Sequence, residues 1–315
     1  MPLFPQTGGV LTETVKNFAK REKCIAGICD ASPLPYAYER FTPFVSRDRT
    51  KRTNPAANMP GVKSIVVVGV EVEAEDFPPM PEDAGVISAL GVTSDYHVTV
   101  KALLKRLAEE LRQHTNLTCK TLVDSPTLDE RALAVRAGLG FIGRSGLVIS
   151  PEYGSQFNIG LLLTDIPLTQ KTDSTNNNPA QAVKASLTEV DIASKCPSNC
   201  RKCIDACPNG ALSNSGGLDA RRCISYLTQK DDLTAEEAAT IGHHLYGCDI
   251  CQDVCPFNRP QPAAWAKPKD WLAMSDADFA GAYTHTAMLW RGAALLRRNA
   301  NAIISNRNTS KDEGQ

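Results

Sequence analysis

The sequence lacks any apolar run of the roughly 18 to 20 residues that a membrane-spanning helix requires. It has no excess of either charge, since 34 Lys and Arg face 35 Asp and Glu, which leaves a formal net charge of −1. A global attraction to nucleic acid is therefore not expected, and any basic surface must be local. Its first residues lack the basic, apolar and small-residue order of a signal peptide. Together these absences predict a cytoplasmic protein with no membrane partner.

Cysteine, in contrast, is abundant. The chain holds 11 cysteines, while its hydrophobic share of 42% and charged share of 22% are those of an ordinary globular protein. Cytosolic thiols stay reduced, so clustered cysteines indicate metal or redox chemistry more than structural disulfides.

Two groups of cysteines carry a recognisable spacing. The stretch "CPSNCRKCIDACPNG" places four in twelve residues, and "YGCDICQDVCP" follows later. Two-cluster ferredoxins have the run C-x2-C-x2-C-x3-C-P, in which the fourth cysteine ligates the other cluster. Here Cys196 sits one residue further upstream than in that run. Crossed ligation predicts two 4Fe–4S clusters, one on Cys196, Cys200, Cys203 and Cys255 and the other on Cys207, Cys223, Cys248 and Cys251.

A zinc site is the alternative for these cysteines, because two C-x2-C pairs also suit tetrahedral zinc. The repetition of C-x2-C-x3-C-P, with four thiols for each site, favours iron–sulfur clusters.

The rest of the pattern predicts an α/β protein. "VKSIVVVGVEVE" is rich in β-branched residues and indicates a strand, and "DYHVTVKALLKRLAEELRQH" has the apolar spacing of an amphipathic helix. We expect an α/β domain over residues 1–168, a polar insertion or linker over 169–195, a ferredoxin-like double-cluster module over 196–258 and a short helical tail over 259–315.

The glycines of "AGLGFIGRSG" formally match the dinucleotide fingerprint at Gly138, Gly140 and Gly143. That fingerprint requires a strand before it and a helix after it. The order predicted here is the reverse, so dinucleotide binding is not expected.

Asp124 ends a predicted strand, which is where α/β proteins place chemistry. Local sequence favours another role, in which Asp124, Ser125 or Thr127 caps the next helix and Glu130 completes a capping box. His97 opens a predicted helix and, taken alone, is more typical of a structural or surface histidine.

A set of motifs in one order resembles the epoxyqueuosine reductase family. These are "VDSPTLDERALAVRAGLGFIGRSGLVISPEYGSQFNIGLLLTDIPL", the double cysteine module, "LDARRCISYLTQ" and "YGCDICQDVCPFN". The resemblance covers about residues 20 to 305. It implies a cobalamin-dependent iron–sulfur enzyme, related to reductive dehalogenases, that reduces epoxyqueuosine to queuosine in tRNA. It also implies that an external low-potential donor supplies electrons, and we expect a monomer.

The resemblance assigns site residues as well. Asp124 matches the family's proton donor, which replaces the capping role favoured by local sequence. The segments that line or border the corrinoid pocket are matched by Arg52, Tyr96, His97, Gly143, Arg144, Ser145 and Ser225.

Two alternatives stay open. The acidic segment "VEVEAEDFPPMPED" and the long 169–195 insertion allow a corrinoid-dependent paralogue that acts on a small molecule. The cysteine module alone would suit a plain electron-transfer protein. Corrinoid uptake would distinguish the electron-transfer protein, which takes up none, from the other two. Salt-sensitive tRNA binding would distinguish the small-molecule paralogue, which does not bind tRNA, from the tRNA-modifying enzyme. Candidate phosphate contacts, which could equally form a solvated face, are Arg47, Arg49, Lys51, Arg52, Arg291, Arg297 and Arg298.

Overall fold

A computed structural model describes residues 7–35, 44–73, 76–168, 195–214 and 217–312. The chain divides into two compact units. The first contains Met1–Glu39, Pro43–Glu71 and His97–Cys200, and the second contains Arg40–Thr42, Val72–Tyr96 and Arg201–Gln315. In this division residues 72–96 group with most of the cysteine module, and Cys196 and Cys200 group with the first unit. The boundaries expected for the domain over 1–168 and the module over 196–258 stay a prediction. The predicted insertion at 169–195 lies outside the described residues except for Lys195.

The strands of the first unit are β1 (Ile25–Asp30), β2 (Ser64–Glu71), β4 (Cys119–Val123), β5 (Phe141–Ile142), β6 (Val148–Ile149) and β7 (Phe157–Thr164). Four of them form a sheet in the order β1-β2-β7-β4, with every neighbouring pair antiparallel. The unit also contains a short ladder that joins β5 to β6. Its helices are α1 (Thr7–Arg21), α2 (Arg49–Thr53), α4 (Tyr96–Arg112, whose first residue falls in the second unit) and α5 (Glu130–Arg136), with a 3-10 turn at Pro55–Ala57.

Sequence pattern explains these elements. The β2 strand is buried along most of its length, as its run of valines predicts. The α4 helix buries Val100, Leu104 and Leu111 on one face, at the three- and four-residue spacing of an amphipathic helix. The α5 helix packs Leu133 and Ala134 into the core that holds the sheet residues. The predicted mixed α/β fold is therefore confirmed.

The second unit has a three-stranded sheet of β3 (Gly85–Ile87), β8 (His244–Tyr246) and β9 (Ala264–Ala266). The central β3 runs parallel to β8 and antiparallel to β9. Strands of three residues carry too little alternation to be read from sequence. Its helices are α3 (Ala89–Val92), α6 (Lys202–Ala206), α7 (Ile224–Leu227), α8 (Ala235–Thr240), α9 (Ile250–Asp253), α10 (Pro268–Ala273), α11 (Asp276–Tyr283) and α12 (Ala293–Asp312).

The tail helices expected near the end of the chain are present, but they belong to a core. Trp271, Phe279 and Leu296 are fully buried in one cluster with residues of the three-stranded sheet. The α12 residue Asn299 donates through Nδ2 to the carbonyl oxygens of Thr228 and Leu245, both at 2.8 Å. The tail therefore holds the second unit together.

Within the described part of the chain, every helix is too short or too polar to span a bilayer.

Candidate functional site

Asp124 stands directly after β4 with a backbone φ of +49°. This is the left-handed region, which costs a residue with a side chain about 1 kcal/mol or more. Of the described residues other than glycine, Lys23 is the only further one with positive φ. The Asp124 side chain is 67% exposed, and its Oδ2 lies 3.5 Å from Nε2 of His97. A carboxyl group and an imidazole thus face each other at the end of a strand.

The loop that carries Asp124 is held by polar contacts. Oε1 of Glu130 accepts a hydrogen bond from the Ser125 amide at 2.9 Å. The Thr127 hydroxyl donates to Oδ1 of Asn58 at 2.6 Å. The Ser46 amide donates to the Pro126 carbonyl at 2.7 Å. These contacts tie the loop to Glu130, Asn58 and Ser46, so the strained conformation is fixed from several sides.

The cap of α5 is Asp129, whose Oδ1 accepts from the Ala132 amide at 3.2 Å. The capping role considered for Asp124, Ser125 or Thr127 is therefore wrong. Because Asp129 caps the helix, Asp124 is not needed for capping. Gly138 follows the Ala137 cap with a φ of +84°, the left-handed conformation that glycine commonly adopts after a helix.

Glu130 has an altered acidity that the sequence did not indicate. Burial of its carboxyl, with added repulsion from Asp124 and Asp129, raises its pKa to about 8. Backbone hydrogen bonds from Ser125 and Asp124 oppose this shift without cancelling it. At neutral pH the Glu130 carboxyl is therefore mostly protonated.

Arg52, expected to border a cofactor pocket, is buried in an ion pair. Its Nη2 lies 3.1 Å from Oδ2 of Asp129, with the two side chains 11% and 1% exposed. The residue links α2 to the start of α5, next to the Asp124 loop. The basic residues Arg47, Arg49 and Lys51 around it are exposed.

Gly143, Arg144 and Ser145 lie beside the first cysteine loop. A Cβ added to Gly143 would come within 3.7 Å of the Cys196 sulfur. Nη2 of Arg144 donates to the Ser198 carbonyl at 3.1 Å, while its Nε is buried with no hydrogen-bond partner. Ser145 is buried, and its Oγ accepts from the Leu147 amide at 3.5 Å. A buried guanidinium donor without a partner fits a site that receives a polar group.

Gly140 shows why this stretch is rich in glycine. A Cβ there would lie 2.1 Å from the carbonyl oxygen of Ile149, so the β5 and β6 backbones approach too closely for any side chain. Helix α5 precedes the segment and the β5–β6 ladder contains its end. The expectation that it is not a dinucleotide fingerprint is consistent with this order.

Four thiols of the second unit influence one another. Burial raises the pKa of Cys248 to about 12, with repulsion from Cys223 and Cys207 adding to it. Burial likewise raises the pKa of Cys251 well above its ordinary value, helped by Cys248 and Cys223. Cys203, which the expected pattern assigns to the first cluster, influences Cys251 as well. These interactions bring the thiols of the second unit near one another, and their division between two clusters stays a prediction. Iron would supply the positive charge that lets such thiols ionise.

Among the described residues, no group of three or more His, Cys, Asp or Glu side chains is arranged to hold a single metal ion.

The remaining expected residues are placed as follows. Tyr96 is the first residue of α4, and Ser225 lies in α7, where its carbonyl accepts from Thr228 Oγ1 and Gln229 Nε2. Cys196 and Cys200 belong to the first unit and Cys203 and Cys255 to the second, so the set for the first cluster stays a prediction.

Three arginines expected as phosphate contacts already have partners. Arg291 pairs with Asp231, Arg297 pairs with Asp276, and Arg298 donates to the Asp231 carbonyl at 2.8 Å.

Two family models match the chain. The model for a 4Fe–4S double cluster binding domain covers residues 195–258, which confirms the cysteine module. The model for epoxyqueuosine reductase QueG (DUF1730) covers residues 52–125, from the buried arginine to the residue after Asp124.

Curated relatives match across most of the chain. The epoxyqueuosine reductase of Bacillus subtilis is 36% identical over 276 residues, which are 82% of this chain and 66% of that protein. The one from Bacillus cereus is 32% identical over 302 residues, 87% of this chain and 74% of that protein.

Solved structures show the same fold. An epoxyqueuosine reductase in complex with an epoxyqueuosine-modified tRNA-Tyr stem loop matches with a TM-score of 0.77 and 29% identity, over 96% of this chain and 82% of that chain. A Bacillus subtilis epoxyqueuosine reductase whose catalytic aspartate loop is swung out of the active site matches with a TM-score of 0.76 and 28% identity, over the same shares.

Proposed function

This chain belongs to the epoxyqueuosine reductase family, and we propose that it reduces epoxyqueuosine to queuosine in tRNA. The observation that carries the proposal is the aspartate loop. Asp124 stands in a left-handed conformation at the end of β4, held from several sides, with an exposed carboxyl. The Bacillus subtilis relative has a catalytic aspartate loop, and Asp124 is the aspartate of this chain that fits that description.

The cofactors are two 4Fe–4S clusters and cobalamin. The double-cluster domain supplies eight cysteines, four of which are neighbours in the second unit. For cobalamin, the supporting features are the partnerless Nε of Arg144 and the buried Ser145, next to the Cys196 loop. Amide groups on the corrin periphery are suitable acceptors for such a donor. When bound, cobalamin supplies a low-valent cobalt that is a strong reductant or nucleophile.

The reaction removes an epoxide oxygen as water and leaves an alkene, which consumes two electrons and two protons. Asp124 is placed to deliver one proton to the departing oxygen as a general acid. His97 lies 3.5 Å from its carboxylate and can orient it or return a proton to it. The Asp124 side chain is 67% exposed, so its desolvation must come from the groups that bind beside it.

When bound, the clusters would supply electron-transfer centres of a class whose reduction potentials span about −700 to +450 mV, and an external low-potential donor would supply the electrons. The enzyme acts as a monomer in the cytoplasm on tRNA. Arg47, which precedes α2, and Arg49 and Lys51 on α2 are exposed and suitable for phosphate contact, whereas Arg52 is buried in its ion pair with Asp129.

Reconstituted protein, loaded with iron and cobalamin, should convert epoxyqueuosine-tRNA to queuosine-tRNA when a strong chemical reductant is present. Mass spectrometry of digested nucleosides measures the product. Loaded protein that binds a corrinoid but neither binds tRNA nor forms queuosine would contradict the tRNA proposal and favour a small-molecule substrate. Protein that takes up no corrinoid would favour plain electron transfer.

A further inference from the structure

A carboxyl group whose role is not assigned lies behind the proton donor. Glu130 is the first residue of α5, but Asp129 performs the capping of that helix. Oε1 of Glu130 instead reaches back to the Ser125 amide at 2.9 Å. That amide follows Asp124, the residue whose backbone is in the left-handed region.

We propose that Glu130, together with the Thr127–Asn58 hydrogen bond, is a latch that holds the Asp124 loop in its proton-donating position. Glu130 is thus a positioning residue that acts through Asp124. This inference rests on the proposed function, because it assumes that Asp124 is the proton donor.

The second half of the latch is anchored independently. Thr127 Oγ1 donates to Asn58 Oδ1 at 2.6 Å, and Asn58 Nδ2 donates to the Lys51 carbonyl at 2.7 Å. Asn58 therefore ties the loop to α2. The Ser125 hydroxyl lies 2.9 Å from the Thr127 hydroxyl and accepts from the Thr127 amide at 3.2 Å, which joins the two halves.

A latch is needed because the left-handed conformation of Asp124 costs free energy that the loop alone does not recover. Without the Glu130 acceptor, the Ser125 amide is left without this partner and the loop relaxes toward extended backbone. The carboxyl of Asp124 then leaves the place where it can transfer a proton.

The acidity of Glu130 supports this role. Its pKa near 8 keeps it mostly neutral at pH 7, so it adds little negative charge beside Asp124. The charged groups around it are Asp124, Asp129 with its partner Arg52, and His97 facing Asp124. A neutral side chain of the same shape should therefore also accept the Ser125 amide and hold the Asp124 loop.

The test compares Glu130→Gln, which keeps a neutral oxygen acceptor, with Glu130→Leu, which removes it. In cofactor-loaded Glu130→Leu, kcat should fall at least 10-fold while KM for epoxyqueuosine-tRNA and the iron and corrinoid contents stay unchanged. Glu130→Gln should keep most of the kcat at pH 7. Hydrogen exchange, a readout that needs no turnover, should show the Ser125 amide opening at least 10-fold faster in Glu130→Leu alone.

Glu237→Leu is the matched control. Glu237 also accepts a backbone hydrogen bond, from the Thr234 amide at 2.9 Å, but in the second unit. Its loss should leave turnover and Ser125 exchange unchanged. If Glu130→Leu does not fold, Thr127→Val removes the other half of the latch without changing shape and should speed exchange of the same loop.

The possible results distinguish a failure of the latch proposal from a failure of the proposed function. Normal Ser125 exchange in Glu130→Leu, or in Thr127→Val if that variant has to be used, would overturn the latch. Undiminished kcat in Glu130→Leu would overturn it too. Wild-type protein that forms no queuosine, yet shows faster loop exchange in Glu130→Leu, would refute the proposed function and retain the latch as a structural fact.

Discussion

Arg52 and Asp129 form a buried ion pair, with Nη2 and Oδ2 3.1 Å apart, and the same aspartate caps α5 through its other oxygen. One carboxylate thus ties α2 to the helix that follows the Asp124 loop. Its other oxygen, Oδ1, accepts a hydrogen bond from the Ala132 amide at the start of that helix.

Replacing Arg52 with Met should lower the free energy of unfolding by about 3 to 5 kcal/mol, because Asp129 would remain buried with its charge unpaired. Lys51→Ala is the control, since Lys51 is exposed on the same helix and its loss should cost less than about 0.5 kcal/mol. Thermal or urea unfolding of the loaded proteins measures both. Equal stability of the two variants would show that the pair contributes nothing net.

Asp124→Asn should retain iron and corrinoid and lose turnover by about 100-fold or more, because an amide cannot supply the proton. Single-turnover formation of queuosine measures the loss. The Asp165→Asn variant changes a carboxylate that accepts from the Thr118 amide elsewhere in the first unit, and it should turn over normally. Full activity of Asp124→Asn would remove this residue from the mechanism.

Cys207 and Cys223 should serve the same cluster, because both thiols influence Cys248. Each single Ala variant should lose about half of the iron, and the double variant should lose no more than either one, since two clusters of four irons are present. Cys119→Ala, on β4, should keep all of it. A double variant with almost no iron would show that the two cysteines serve different clusters.

Glu130→Gln should change the pH dependence of stability. The folded pKa of about 8 lies above the unfolded value of 4.5, so the folded protein holds a proton that the unfolded chain has lost. The free energy of unfolding of the wild type therefore falls as pH rises from 4.5 to 8, by roughly 1.4 kcal/mol per pH unit at most, and levels off above about pH 8. The Gln variant lacks this loss.

The variant should consequently match the wild type near pH 4.5 and exceed it in free energy of unfolding by up to roughly 5 kcal/mol at pH 9. Unfolding of both proteins at matched pH values checks this, since effects on the clusters are common to the two. A stability difference that does not vary with pH would mean that Glu130 is ionised in the folded protein at neutral pH.

Exposure of Trp290 illustrates how tertiary contacts decide a role. The residue is 55% exposed. Its Nε1 donates to the Tyr246 hydroxyl at 3.2 Å and the Arg291 guanidinium lies over its ring at 4.7 Å. Helical spacing cannot show this, because the residue sits in a 3-10 turn before α12 rather than in the helix.

What the sequence determined by itself is chemistry that acts over short distances. The cysteine spacing sets which thiols a short loop can bring to one cluster. The valines of β2 predict a buried strand, and Asp124 directly follows Val123, the last residue of β4. Only the tertiary structure decided the conformation and surroundings of that aspartate. The positive φ, the burial of Glu130 and the Arg52–Asp129 pair depend on contacts from other elements, and burial and strain are properties of the packed chain.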